Sequence, residues 1–116
     1  MKYLCLVYGE ERTFTEMPER EYDELIREHL VFDGELKAGG HFLAAEALES
    51  VTTATMVRVR NGRISVTDGP FAETKEQLTG FFLIDARDLN QAIQIASRIP
   101  AARMAGIEVR PIRELQ

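Results

Sequence analysis

The sequence predicts a single α+β domain built on an antiparallel sheet, and three observations support this prediction. The 116 residues are close to the common size of one domain, and two separate cores would each be too small to bury enough surface. Residues 2–8 and 80–85 are apolar on both alternating sets of positions, as central strands are when both sheet faces are covered. Residues 18–38 and 88–99 instead show the three-to-four-residue spacing of amphipathic helices.

The two helices have recognisable ends. The first is expected to run from about Pro18 to Ala38, because proline favours the start of a helix and the glycines that follow favour its end. Its predicted apolar stripe comprises Tyr22, Leu25, Ile26, His29, Asp33 and Leu36. The second is expected to begin at Asp88, whose carboxylate can cap the first turn while Gln91 completes a capping box. Its predicted buried face comprises Leu89, Ala92, Ile93, Ala96 and Ile99.

The remaining strands complete a recognisable order. Residues 53–60 and 63–67 alternate in polarity and are predicted to be half-buried strands. Asn61-Gly62 between them is a strong signal for a type I′ hairpin, since both turn positions need a positive φ angle. The last strand, 107–112, contains Pro111, which favours a sheet edge. The order β-α-ββ-β-α-β fits a ferredoxin-like sandwich with both helices on one face of the sheet.

The uncovered face of this sheet predicts a homodimer. Two helices cover one face only, so one set of residues 3–8 and either Phe81 or Phe82 must point to the other. Leaving several such side chains in water forfeits roughly 1.5 to 3 kcal/mol each. A second copy packed sheet against sheet with two-fold symmetry is the expected cover.

Composition and charge exclude several classes of function. The formal net charge of −5 and the absence of a Lys/Arg cluster argue against nucleic-acid binding. No apolar run approaches the ~18 to 20 residues that span a bilayer, and the N-terminus lacks a signal-peptide layout, so we expect a cytoplasmic protein. Cys5, the only cysteine, lies in an apolar run and is expected to be buried rather than reactive.

His29 and Asp33 are the first candidate site. They lie four residues apart on one face of the first helix, within its apolar stripe. Polar side chains at such positions are expected either to be hydrogen-bonded or to serve a function. They are either a hydrogen-bonded pair beside the core or a general base whose imidazole Asp33 orients. A metal site that adds His41 and Glu46 is a third alternative, but no tight motif such as His-x-His supports it, and no metal is predicted.

Residues 68–75 are the second candidate site. Asp68, followed by glycine and proline, favours a sharp turn out of the strand. The alternative places Asp68, Glu73 and Lys75 at the mouth of a pocket, where a carboxylate near a lysine binds or deprotonates a polar substrate. Arg58 and Arg60, on one side of their strand, either face solvent or clamp an anionic substrate.

Residues 64–85 resemble the YCII-related family, and specifically its DGPF branch, whose tetrapeptide stands at residues 68–71. The similarity includes Thr67, the continuation 72–76 and the strand 80–84, and extends over nearly the whole chain. It implies one domain over residues 1–116, a dimeric α+β barrel, and a family of possible enzymes without an established reaction. Relatives carry a histidine early in the first helix with an acidic partner as a proposed active-site pair. This chain has Asp23 near that position, so the pair is not carried over.

Two classes of function therefore remain open. In the first, an enzyme without an organic cofactor holds a small polar molecule between the first helix and the sheet, and His29 transfers a proton. In the second, the dimer is a small-molecule sensor or a protein-interaction module. The sequence lacks the Gly-x-Gly-x-x-Gly and Walker motifs, so nothing in it indicates nucleotide-dependent chemistry. It also lacks the Gly-x-Ser-x-Gly motif of serine hydrolases and the His-Glu-x-x-His motif of zinc metalloproteases.

Overall fold

A computed structural model describes residues 1–115, in which six strands and three α-helices follow one another along the chain. The strands are β1 (Lys2–Gly9), β2 (Phe42–Ala47), β3 (Thr55–Arg60), β4 (Arg63–Asp68), β5 (Gln77–Asp85) and β6 (Gly106–Pro111). The helices are α1 (Glu11–Thr15), α2 (Glu19–Ala38) and α3 (Leu89–Ser97), with 3₁₀ turns at Val51–Thr53 and Pro100–Arg103. No helix in residues 1–115 is both long enough and apolar enough to cross a bilayer.

Four strands form one antiparallel sheet in the order β2-β5-β1-β6. The two strands with apolar residues on both faces, β1 and β5, are central, and β6 with Pro111 lies at an edge. This arrangement confirms the predicted α+β, ferredoxin-like fold with an antiparallel sheet. The edge of the sheet beyond β5 is formed by β2, a short strand rich in alanine. The predicted strand order had not included it.

The helices cover one face of this sheet, which we call the inner face. Tyr3, Cys5 and Val7 from β1, with Phe82 and Ile84 from β5, are buried there. Burial raises the pKa of the Cys5 thiol to about 11, which keeps it protonated and confirms its role as a packing residue. From the helices, the buried side chains are Leu25, Phe32, Leu36, Ala92, Ile95 and Ala96.

The opposite, outer face of the sheet is apolar in its middle. Leu4 and Leu6 of β1 pair with Leu83 and Phe81 of β5, and all four side chains are half-buried in the single chain. Charged residues stand at both margins of this face: Glu46 on β2, and Glu108 with Arg110 on β6.

The hairpin β3–β4, residues 55–68, is a separate two-stranded sheet that we call the arm. Its turn residues Asn61 and Gly62 have φ angles of 50° and 75°, which confirms the predicted hairpin turn. The prediction that its strands are half-buried is wrong, because every arm side chain except that of Met56 is exposed. Alternating polarity showed that one side of the arm is apolar, but a local pattern does not reveal whether anything covers that side.

The predicted helices are confirmed, with differences in their buried faces. In α2 the buried side chains include Phe32, whereas Tyr22 and Ile26 are 43% and 41% exposed. At the start of α3 the Asp88 carboxylate accepts a hydrogen bond from the Gln91 N–H at 2.9 Å. The Gln91 side chain accepts one from the Arg87 N–H at 2.7 Å, one residue before the N-cap, so the Asp88 half of the predicted capping box is present and the reciprocal bond is shifted by one residue.

Candidate functional site

His29 lies in the middle of α2 and its imidazole stacks on the ring of Phe82 on the inner face of the sheet. The two ring centroids are 5.9 Å apart and the ring planes differ by 12°. Phe32, on the next turn of α2, meets the same Phe82 ring edge-on at 5.6 Å. His29 is therefore half-buried at the margin of the core, with its ring orientation fixed by aromatic packing rather than by a hydrogen bond.

Asp33 follows one turn after His29 and is also half-buried. Its Oδ1 atom is buried and has no hydrogen-bond partner within residues 1–115. Buried carboxylate oxygens nearly always have a partner, because desolvation of an unpaired one is costly. The simple self-satisfied pair with His29 is therefore not formed in the described chain, and this buried oxygen is left without a donor there.

The surroundings of His29 lower its pKa from the usual value. Burial is the main cause, because the charged imidazolium loses hydration at this position. The negative charges of Asp33 and Glu28 act in the opposite direction, and the positive charge of Arg103 adds to the lowering. The neutral imidazole, which can accept a proton, is thus the favoured form near neutral pH.

Small residues surround Phe82 on the inner face of the sheet. Ala45 of β2 is its direct partner on β5, and the next pair on the same face is Gly80 with Ala47. A Cβ atom on Gly80 would lie 2.8 Å from the carbonyl oxygen of Glu46, so glycine is needed for β2 to pair this closely. Phe82 is therefore the large apolar group that this part of the sheet presents to His29.

The two flanks of α2 have different neighbours. Glu28 pairs with Arg103 at 2.7 Å and Glu35 with Arg98 at 3.9 Å, so this flank faces α3 and the turn after it. Asp33 lies on the other flank, away from α3, by the helical spacing. Sequence reasoning missed the Glu28–Arg103 pair, and no local signal indicates it because 75 residues separate the partners. The pairing lowers the pKa of Glu28.

A cleft lies on the Glu28 flank of α2, and His29 is not part of its lining. It has a volume of about 470 Å³, and its lining includes Arg20, Glu28, Arg103 and Met104. Its charged groups are mixed in sign and in part paired with one another. We assign no chemistry to this cleft, because none of its charged groups is both buried and without a partner in the described residues.

The arm arginines and the loop after the arm form a second, exposed region. Arg58 stacks over the ring of Phe71 at 5.6 Å, and Arg60 lies opposite Arg63 across the hairpin. Asp68 pairs with Thr55 at the base of the arm, on the face opposite to Arg58 and Arg60.

The loop is joined to the body of the chain at two points. The Gly69 N–H donates to the Ala54 carbonyl at 2.8 Å, with a φ angle of 109° at Gly69. Lys75 makes an ion pair with Glu10 at 3.4 Å, and Glu73 is exposed. Turn chemistry accounts for this segment, and within residues 1–115 neither Asp68, Glu73 nor Lys75 has a hydrogen bond or ion pair with His29.

The residues of the alternative metal site lie apart. Glu46 is on the outer face of the sheet, opposite Phe81, whereas His29 stacks on Phe82 on the inner face. His41 Nδ1 lies 2.8 Å from the Asp85 carbonyl oxygen, at the far end of β2. Residues 1–115 contain no group of three or more His, Cys, Asp or Glu side chains arranged to hold a metal ion.

The fold and the site define the class of molecule: a ferredoxin-like α+β chain with a half-buried histidine between its long helix and its sheet. A sequence profile of the YCII-related domain matches residues 1–116. An uncharacterised protein of Rhizobium meliloti (strain 1021) is 33% identical over 114 residues, which cover 97% of this chain and 92% of the relative. The chain belongs to the YCII-related family.

Proposed function

We propose that this chain is a cofactor-independent enzyme in which His29 acts as a general base on a small polar organic molecule. The observation that supports this most is the buried Asp33 Oδ1, which has no hydrogen-bond partner in the described residues and lies one helical turn from a half-buried imidazole. The His29 imidazole can accept an acidic proton from a substrate, and the Asp33 carboxylate oxygen, which has no hydrogen-bond partner in the described residues, can accept a hydrogen bond from a donor on the same substrate.

The proposed chemistry is proton transfer. His29, neutral because burial lowers its pKa, takes a proton from a carbon or hydroxyl acid of the substrate and becomes an imidazolium. Asp33 stabilises this imidazolium by its charge, as its opposing effect on the His29 pKa indicates. In an isomerisation the imidazolium returns a proton to another atom of the substrate, and in an elimination it gives the proton to the leaving group as the bond to that group breaks. Neither reaction needs a redox partner, and exchange of the imidazolium proton with solvent labels the substrate.

We infer further that the active form is a homodimer sealed through the outer face of the sheet. Leu4, Leu6, Phe81 and Leu83 form a continuous apolar area there. Full burial of an exposed side chain of this size is worth roughly 1.5 to 3 kcal/mol, and covering each of these contributes less than that because they are already half-buried. Two-fold pairing of identical faces is the commonest way to cover such an area. His29 lies on the helix side of the sheet and is therefore outside this contact.

Sedimentation equilibrium tests the dimer. Leu6→Asp is expected to convert the dimer to a monomer, because a charge at the centre of the proposed contact is left buried and unpaired. Ile93→Asp is the matched control, since it makes the same kind of change at a 49%-exposed position on α3. A dimer that persists in Leu6→Asp, or a wild-type chain that is monomeric at micromolar concentration, argues against the outer-face contact.

Hydrogen exchange from carbon acids tests the proposed base. A panel of 2-oxo acids, 3-oxo acids and lactones is incubated with the protein in D₂O, and the loss of the α-proton signal is followed by NMR. We expect exchange to be lost in His29→Gln and kept in His41→Gln, whose histidine lies beside Asp85 at the far end of β2. Equal rates in the two variants exclude His29 as the base.

The same experiment distinguishes an enzyme from a binding module. A compound that shifts the His29 resonances but exchanges no proton favours a small-molecule sensor over a catalyst. Asp68 stays a predicted catalytic residue, and the predicted substrate contacts stay Arg58, Arg60, Glu73 and Lys75. A compound that binds through these residues is expected to shift arm and loop resonances instead.

A further inference from the structure

The arm presents an aliphatic surface that no part of the described chain covers. Val57 and Val59 of β3 lie opposite Val66 and Ile64 of β4, and the four side chains are 57%, 57%, 60% and 73% exposed. A two-stranded hairpin alone is marginally stable in water, and its stability normally comes from packing one face against something else. Four adjacent β-branched side chains on one face are an unused contact surface.

The other face of the arm is basic. Arg58, Arg60 and Arg63 lie on it, while Asp68 is the single acidic residue of the arm, so residues 55–68 carry a net charge of +2. Because the whole chain carries −5, the rest of it carries −7. An identical chain is therefore a partner whose net charge is complementary to that of the arm.

The shape of the chain also favours a second copy as the partner. The molecule is a slab of 47 × 45 × 18 Å, thin because the sheet is covered on one face only. The four-stranded sheet spans about 20 Å across its strands and about 20 to 30 Å along them, from strand spacings of about 4.8 Å and rises of about 3.3 Å per residue. The exposed aliphatic face of the arm lies outside this sheet, so contact through it enlarges the area that a second copy buries.

We propose that the arm of each chain packs its Val57, Val59, Ile64 and Val66 face against a second copy of this chain. This inference rests on the proposed homodimer and adds to it a second contact, outside the sheet. Arg58, Arg60 and Arg63 lie on the opposite face of the arm, so their positive charge attracts the acidic second copy over a distance and not through this contact. We call this contact between the arm and the second copy the clasp. The aliphatic face of the arm is exposed in the single chain because only the second copy covers it.

Substitution of one aliphatic residue tests the clasp. Ile64→Asp places a charge in the proposed contact at a position that is 73% exposed in the single chain, so the fold of the monomer is unaffected. Ile93→Asp is the matched control, because it makes the same substitution at a 49%-exposed position on α3, outside the arm. We expect Ile64→Asp to raise the dimer dissociation constant at least about 100-fold, since two arms are affected per dimer. The control is expected to stay within about 3-fold of the wild type.

The salt dependence of dimerisation is the second measurement. The dissociation constant of the wild type is expected to rise with ionic strength, and Arg58→Gln with Arg60→Gln is expected to weaken that dependence. Circular dichroism confirms that each variant is folded. Similar dissociation constants for Ile64→Asp, Ile93→Asp and the wild type overturn the clasp. If Leu6→Asp still gives a monomer in that case, the outer-face dimer stands without it.

Discussion

The imidazole of His29 lies nearly parallel to the ring of Phe82, with 5.9 Å between their centroids and 12° between their planes. Through this contact the histidine of α2 packs directly against a core side chain of the sheet. It gives the histidine a fixed orientation without occupying either ring nitrogen in a hydrogen bond to residues 1–115. Both nitrogens are thus free for proton transfer, which is the property that the proposed general base needs.

Phe82→Leu is expected to destabilise the protein and to make the imidazole of His29 less buried. Phe82 is buried beneath His29 and Phe32, so the smaller side chain costs about 1 to 2 kcal/mol of unfolding free energy. With less burial around the imidazole, the pKa of His29 is expected to rise toward its usual value. Urea unfolding and NMR titration measure the two effects. Phe81→Leu, on the outer face, is the control and should leave the His29 pKa unchanged.

Stability is expected to decrease on mild acidification because of His29. Its pKa is 6.5 in the unfolded chain and lower in the fold, so between these two values the unfolded state binds more protons. The stability contribution of the neutral histidine is therefore complete above pH 6.5 and is lost as the pH falls from 6.5 through the folded pKa.

Urea unfolding at several pH values between 8 and 5 checks this window. His29→Gln is expected to flatten the profile in the window, whereas a profile as steep as that of the wild type would mean that another group is responsible. Asp85, whose pKa is lowered mainly by its hydrogen bond from the N-terminal amine, acts in a separate, more acidic window. Its stabilising effect is lost only as the pH falls from the ordinary carboxylate value through its lowered one.

Asp88→Ala is expected to shorten or fray α3. The Asp88 carboxylate accepts the Gln91 N–H at 2.9 Å, and its loss leaves a first-turn donor without its cap. The expected cost is about 1 kcal/mol of unfolding free energy, measured by thermal or urea denaturation. Asp88→Asn keeps an acceptor at the same place and should recover most of the loss. No difference between alanine and asparagine would show that the cap contributes little here.

Much of the fold was predictable because local patterns in this chain agree with the final topology. The two-sided apolar runs of β1 and β5 indicated their central position, and Pro111 indicated an edge. The capping box of α3 and the Asn61-Gly62 turn are short-range interactions that depend only on neighbouring residues. Such signals are reliable because no distant contact is needed to satisfy them.

The missed features all depend on distant parts of the chain. The β2 strand is rich in alanine, so its apolar pattern is weak, and its place in the sheet comes from pairing with β5. The burial of Phe32 and the exposure of Tyr22 are set by where α3 and Phe82 lie. Likewise the sequence indicated that His29 and Asp33 share a face of α2, but not that Phe82 would be the partner of the imidazole.

NMR titration of the two histidines, in the wild type and in Asp33→Asn, tests the proposed base most directly. We expect a His29 pKa below 6.5 in the wild type, since burial is the main influence on it. The pKa should be lower still in Asp33→Asn, because the carboxylate that favours the imidazolium is removed. A His29 pKa at or above 6.5, or one that Asp33→Asn leaves in place, would contradict a neutral general base coupled to Asp33.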